Sequence, residues 1–130
     1  MSVGILLVTH EGLGPDLVRL AQRMLGHLPL AVECMQVPFD ADLPSLLAEG
    51  SGALRRADGG DGVLILSDLY GASPSNLASR LAHLGTPVRR VSGLSLPMLL
   101  RVLNYAERPL EELVEIAASG ARSGVVIDHA

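Results

Sequence analysis

A histidine follows the first apolar run of the chain. Residues 3–8, with the sequence VGILLV, predict a buried β-strand, and Thr9 and His10 come directly after it. In open α/β sheets, ligands and chemistry gather outside the carboxyl ends of the strands. An imidazole at that position can exchange protons and act as a nucleophile. His10 is therefore the first candidate for a catalytic residue.

A carboxylate follows a second apolar run in the same way. Residues 63–67 (VLILS) predict a strand that is covered on both faces, and Asp68 is the next residue. In a flavodoxin-like sheet of order 2-1-3-4 the first and third strands are neighbours, which places Asp68 beside His10. The carboxylate can then accept the proton of one ring nitrogen and leave the lone pair of the other nitrogen free as a nucleophile. We therefore expect His10 and Asp68 to form one site.

Two predicted helix starts flank this site. The turns at residues 11–14 (EGLG) and 70–73 (YGAS) contain small residues, which allow a ligand to approach the backbone closely. If His10 carries a phosphoryl group, main-chain N–H groups and hydroxyls in these turns are expected to stabilise its negative charge without a metal ion or a cofactor. The candidates for this role are Thr9, Gly12, Gly71 and Ser73.

Segments typical of strands and of helices alternate along the whole chain. The predicted strands lie at residues 3–8, 30–37, 63–67 and 88–91, and the predicted helices at residues 17–25, 42–54, 73–84, 95–103 and 109–121. This alternation predicts a single α/β domain over residues 1–130, with a doubly wound, mostly parallel sheet and helices on both faces.

Local signals predict three details of these elements. Gly50 and Gly52 are expected to weaken the second helix or to end it early. Ser73 is expected to cap the third helix, with Pro74 at its first position. Residues 125–127 (VVI) predict a fifth strand that is too short to be stable alone, so it must dock on a sheet edge of its own chain or of a partner subunit.

Composition excludes several classes of function. The chain has no lysine, which excludes a Walker A lysine, a Schiff-base lysine and the lysine of a receiver domain. Aromatic residues make up 2% of the chain and its formal charge is −4, so we expect no binding to nucleic acid. Cys34 is the only cysteine and is expected to be a small buried residue of a strand. Because the chain lacks an apolar run of roughly 18 to 20 residues, we expect a soluble, cytoplasmic protein without membrane insertion.

Three segments together resemble the IIA components of the mannose-type sugar phosphotransferase system. They are residues 4–14 (GILLVTHEGLG), 66–76 (LSDLYGASPSN) and 93–99 (GLSLPML). The resemblance covers almost the whole chain. It implies that His10 accepts a phosphoryl group from the phosphohistidine of HPr and passes it to a IIB component, with Asp68 orienting the imidazole. It also implies a homodimer in which the last strand is exchanged between subunits.

The chain departs from this family at residues 71–75, which read GASPS where many members have GGSPF or a similar stretch. His10 remains the expected phosphoryl acceptor despite this departure. The downstream acceptor stays open, and with it the choice between sugar uptake, in association with a membrane permease complex, and regulation.

Three other functions remain as alternatives. A hydrolase would use Ser73, His10 and Asp68, although the chain has no Gly-x-Ser-x-Gly nucleophile elbow. A flavodoxin-like module that binds FMN would need aromatic residues to stack on the flavin, and Tyr70 is the only candidate near the site. The phosphotransfer subunit that serves a dihydroxyacetone kinase shares the fold and an early histidine at a strand end. The remaining histidines, His27, His83 and His129, are expected at the surface.

Overall fold

The computed structural model describes residues 2–129, which form four strands and five helices. The strands are β1 (Ser2–His10), β2 (Val32–Val37), β3 (Gly60–Ser67) and β4 (Val88–Ser92). The helices are α1 (Leu13–Leu25), α2 (Leu43–Ala57), α3 (Ser73–Leu81), α4 (Leu96–Asn104) and α5 (Leu110–Ser123). The sheet order is β2-β1-β3-β4 and each neighbouring pair is parallel, so the predicted doubly wound α/β fold is confirmed.

Apolar side chains cover both faces of the sheet. Successive residues of a strand point to opposite faces, so that Leu7 and Leu66 pack under α1, α4 and α5, whereas Leu6 and Ile65 pack under α2 and α3. All four side chains are fully buried, and each stabilises the fold by about 1.5–3 kcal/mol relative to an exposed side chain. In this strand order β1 and β3 are the two central strands of the sheet. Their carboxyl ends meet at one edge of the molecule.

The second helix is present as predicted, but it does not end early, which was one of the two effects expected of Gly50 and Gly52. α2 continues through Gly50 and Gly52 to Ala57. A Cβ atom at Gly50 would lie 3.1 Å from a methyl carbon of Leu81 in α3, so the glycine permits close packing of the two helices. Tertiary contact therefore outweighs the low helix propensity of glycine at this position.

The predicted capping role of Ser73 is also wrong. Ala72 is the N-cap of α3, Ser73 is its first residue, and no side chain caps the helix. A serine does cap α4, where the Ser95 hydroxyl accepts a hydrogen bond from the main-chain N–H of Met98 at 3.2 Å.

No fifth strand is present among residues 2–129. The residues predicted to form it, Val125, Val126 and Ile127, follow α5 without strand structure, and their side chains are 77–79% exposed. A strand needs a neighbour to satisfy its backbone groups, and the segment has not docked on the sheet of its own chain. β4 is left as an edge strand.

Cys34 lies in β2, as predicted, and its thiol is partly buried. Burial and, to a smaller extent, the negative charge of Glu33 raise the pKa of the thiol from 9.0 to about 11. The thiol is therefore protonated at neutral pH. Because the thiolate is the reactive form of cysteine, Cys34 is a structural residue of β2 and a poor nucleophile.

Candidate functional site

His10 and Asp68 lie side by side at the carboxyl ends of the two central strands. His10 is the last residue of β1, and Asp68 is the first residue after β3. The strands pair in parallel with Val8 opposite Ser67, so that His10, two residues beyond Val8, and Asp68, one residue beyond Ser67, both leave the sheet at the same edge. The distance from His10 Nδ1 to Asp68 Oδ2 is 2.8 Å. The imidazole is 24% exposed and the carboxylate 9% exposed, so a ligand can reach the ring but hardly the carboxylate.

Among the described residues, the Asp68 carboxylate forms hydrogen bonds only with His10. Its Oδ2 atom accepts from the ring Nδ1–H and, at 3.0 Å, from the main-chain N–H of His10. Its Oδ1 atom is buried and has no hydrogen-bond partner among the described residues. A carboxylate accepts hydrogen bonds and cannot donate them, so the proton of the neutral ring lies on Nδ1. The lone pair of the ring is then on Nε2.

The turn after His10 is held by two side chains. Thr9 is fully buried; its hydroxyl donates to the His10 carbonyl at 2.7 Å and accepts from the Gly14 N–H at 3.1 Å. The Gly12 N–H donates to Oε1 of Gln36 at 2.7 Å, and Gly12 has a φ of 92°, which favours glycine. The turn therefore has a defined shape, with its Gly12 N–H occupied by an oxygen from β2.

The loop between β3 and α3 forms the other side of the site. Gly71 has a φ of 85°, and no heavy atom lies within 4 Å of the position that its Cβ would take. The Ser73 hydroxyl makes no hydrogen bond to the described residues, and neither does the Asp68 Oδ1 atom. Leu69 and Tyr70 are exposed in the same loop. This side of the site is open, and its N–H groups lie at the start of α3.

An aromatic ring that the sequence did not single out covers one face of the imidazole. The ring of Phe39, in the loop between β2 and α2, is stacked on His10 with centroids 4.9 Å apart and an angle of 26° between the planes. A signal for this contact exists in the sheet register, because Val37 pairs with His10 and Phe39 follows two residues later. The sequence also did not single out Gln36, which precedes Val37 and lies near the site through the same register. Gln36 reaches the site from β2, and Phe39 reaches it from the loop that follows β2.

The family model described as PTS system fructose IIA component matches residues 4–118. The chain belongs to this IIA family of the phosphotransferase system. The resemblance identified from the sequence is thereby confirmed, and the chain is a phosphotransferase component. Neither a hydrolase nor a flavin-binding module is favoured by this match.

Relatives of the IIA component agree with this assignment. The mannose-specific EIIAB component of Escherichia coli K12 is 29% identical over 127 residues, which are 96% of this chain and 39% of the relative. The putative phosphotransferase enzyme IIA component YadI of the same strain is 28% identical over 123 residues, which are 89% of this chain and 82% of that protein. The chain thus spans about two fifths of the length of the EIIAB relative.

A solved structure supports the fold of the IIA component. The mannose/sorbose specific IIA subunit from Enterococcus faecalis superposes with a TM-score of 0.86 at 24% identity, covering 100% of this chain and 97% of that one. At this identity the likeness concerns the fold alone.

Other kinds of site are not evident in the described part of the IIA component. Residues 2–129 contain no group of three or more His, Cys, Asp or Glu side chains that could hold a metal ion. No helix in the same range is long and apolar enough to cross a membrane. His27, His83 and His129 are exposed, as predicted. Ser73 forms no hydrogen bond with His10, whose ring bonds to Asp68, so a serine nucleophile activated by His10 is not assembled.

Proposed function

We propose that this IIA component is a phosphoryl carrier that accepts a phosphoryl group from phospho-HPr on Nε2 of His10 and passes it to a IIB component. The hydrogen bond of 2.8 Å between His10 Nδ1 and Asp68 Oδ2 carries the proposal, because it leaves Nε2 as the nitrogen with a free lone pair. We propose that residues 1–130 act as one IIA domain in this role. The mannose-specific EIIAB relative combines the two components in one protein, which supports a IIB protein as the acceptor.

Phosphoryl transfer to His10 needs no cofactor. The Nε2 lone pair attacks the phosphorus atom of the donor phosphohistidine, an N–P bond forms on His10, and the N–P bond of the donor breaks with its electron pair going to the donor imidazole. The Nδ1 proton of His10 stays in place. Asp68 stabilises the positive charge that develops on the ring as Nε2 is phosphorylated. Transfer to the IIB component is the same step with His10 as the leaving group.

The negative charge of the bound phosphoryl group requires nearby donors. We assign this role to the N–H groups of Gly12 and Gly71 and to the Ser73 hydroxyl, at the starts of α1 and α3, where the helix dipoles also favour an anion. The Gly12 N–H is bonded to Gln36, which must release it when the phosphoryl group arrives. Thr9 contributes by holding the turn, since its hydroxyl bonds to the His10 carbonyl and the Gly14 N–H.

The donor and the acceptor are expected to dock on the loops around His10. Several apolar side chains in these loops are exposed. A patch of exposed apolar side chains is typical of a protein interaction surface. These side chains are Leu13, Leu69 and Tyr70.

Incubation with phosphoenolpyruvate, enzyme I and HPr is expected to add one phosphoryl group to the chain. The modification should be labile in acid and stable in base, because the product is a phosphoramidate. Intact-mass spectrometry before and after acid treatment measures both properties. A reaction without HPr serves as the control. If the mass is unchanged in the complete mixture, the proposed relay is wrong.

We also propose that the IIA component is a homodimer in which residues 125–127 pair with β4 of the partner. The support is the exposed apolar character of the segment together with the open edge of β4. Pairing would satisfy the backbone groups of both edges and bury three apolar side chains.

Removing residues 125–130 is expected to convert this dimer into a monomer, which sedimentation velocity can measure. The substitution Met24→Ser changes an exposed apolar residue of α1 and is the control; it should leave the dimer intact. A full-length chain that sediments as a monomer, or a truncated chain that remains a dimer, would contradict the exchange.

A further inference from the structure

Phe39 makes a contact with His10 that the relay chemistry described above does not use. Its ring is stacked on one face of the imidazole, with centroids 4.9 Å apart, although 84% of the residue is exposed. An exposed phenylalanine gains little from burial, and this one touches the proposed phosphoryl acceptor. The position follows from the sheet register, because Val37 pairs with His10 and β2 ends there.

The backbone around Phe39 is held in a turn. The main-chain N–H of Ala41 donates to the carbonyl of Pro38 at 3.2 Å, which closes a four-residue turn with Phe39 at its second position. The ring of Pro38 also restricts the backbone immediately before Phe39. The side chain is therefore exposed but starts from a fixed point, which allows it to stay over the imidazole.

A single hydrogen bond does not fix the plane of the His10 ring. The bond to Asp68 holds Nδ1 in place, but the ring can still tilt about the line that joins Nδ1 to Oδ2. Contact with the face of the ring opposes this tilt. The centroid separation of 4.9 Å lies within the range of favourable aromatic pairs, and the planes of the two rings differ by 26°.

The plane of the ring sets the direction of phosphoryl transfer. The lone pair of Nε2 lies in the plane of the imidazole, and the attacking and leaving atoms must be roughly in line with phosphorus in the transition state. We propose that Phe39 is a positioning residue that fixes the plane of His10, so that Nε2 points along the line of transfer. This inference rests on the proposed function of His10 and assigns a further residue to it.

Replacing Phe39 tests this inference by separating the rate of transfer from the docking of the donor. Phe39→Ala and Phe39→Leu are expected to lower kcat for transfer from phospho-HPr by roughly three- to tenfold, the range that corresponds to loss of one aromatic pair. KM for HPr should change less than twofold. Phe39→Tyr keeps the aromatic face and should restore kcat to within twofold of wild type.

A spectroscopic measurement reports the stack without any phosphoryl transfer. The ring current of Phe39 shifts the resonances of the His10 ring protons, and these shifts should be lost in Phe39→Leu and kept in Phe39→Tyr. Because Phe39 is exposed, the variants are expected to fold normally, which the Tm can verify. Met24→Ala removes an exposed apolar side chain of α1 and is expected to change neither kcat nor KM.

The possible outcomes separate this inference from the function on which it rests. An unchanged kcat in Phe39→Ala, or a rise in KM without a fall in kcat, overturns the positioning role while the phosphoryl carrier stands. Equal loss of kcat in Phe39→Tyr and Phe39→Ala also overturns it. If the wild-type chain itself accepts no phosphoryl group from phospho-HPr, the carrier function is wrong and the positioning role is wrong with it.

Discussion

Replacing His10 with glutamine is expected to abolish phosphorylation of the chain by phospho-HPr. Glutamine is similar in length but has no nitrogen lone pair that can attack phosphorus, so the nucleophile is lost. The measurement is intact-mass spectrometry after incubation with phosphoenolpyruvate, enzyme I and HPr. His83→Gln is the matched control, because His83 is exposed and lies outside the site. It should be phosphorylated at the wild-type rate.

The fold is expected to survive the His10→Gln substitution. Asp68 loses the hydrogen bond from the ring but keeps the one from the main-chain N–H of residue 10, which does not depend on the side chain. Loss of one hydrogen bond to a charged group costs about 1.5–3 kcal/mol, which is less than the stability of a typical domain. A folded His10→Gln variant that still accepts phosphate at the wild-type rate would show that another residue is the acceptor.

Replacing Asp68 with alanine is expected to slow phosphorylation of His10 by about 10–100-fold, by analogy with the loss of a carboxylate that orients a metal-binding histidine. The nucleophile remains, so the chain should still reach full phosphorylation at long times. The rate falls because Nδ1 is no longer held at 2.8 Å from a carboxylate, and the charge that develops on the ring is no longer balanced. A rapid-quench time course separates the slower rate from the unchanged final extent.

Asp68→Asn distinguishes orientation from charge. The amide oxygen can still accept from the main-chain N–H and from Nδ1–H, but it carries no negative charge. We therefore expect a rate between those of wild type and Asp68→Ala. Asp61→Asn is the matched control, because Asp61 lies near the start of β3, is exposed and is distant from the carboxyl ends of the strands. Wild-type rates in both Asp68 variants would restrict this residue to a structural role in the turn.

The proximity of His10 and Asp68 was predictable because it depends on local signals. Two short apolar runs mark buried strands, and the polar residue after each run marks its carboxyl end. Once the alternation of elements requires a parallel sheet, both ends lie at the same edge. The order of the strands in the sheet is also needed, and local signals do not determine it. Neighbouring first and third strands are a common solution for this alternation, and the structure adopts it.

Local signals were less reliable where packing decides the outcome. Gly50 suggested the end of a helix, but α2 continues because a glycine at this position lets Leu81 approach closely. Ser73 and Pro74 suggested a serine cap, but the helix begins one residue earlier than that pattern implies. The apolar segment 125–127 suggested a strand, but a strand needs a neighbouring edge, which its own chain does not supply to it.

By itself the sequence determined the class of fold, the candidate nucleophile His10 and the carboxylate beside it, because these follow from the order of apolar runs and the residues that end them. The phosphoryl chemistry was implied by the resemblance to the IIA family. Only the tertiary structure revealed the contacts of Gln36 and Phe39 with the site. Those contacts depend on the register of β2 against β1, which places Val37 opposite His10. Register results from pairing and packing between segments about 27 residues apart in the chain, so no local pattern around either residue determines it.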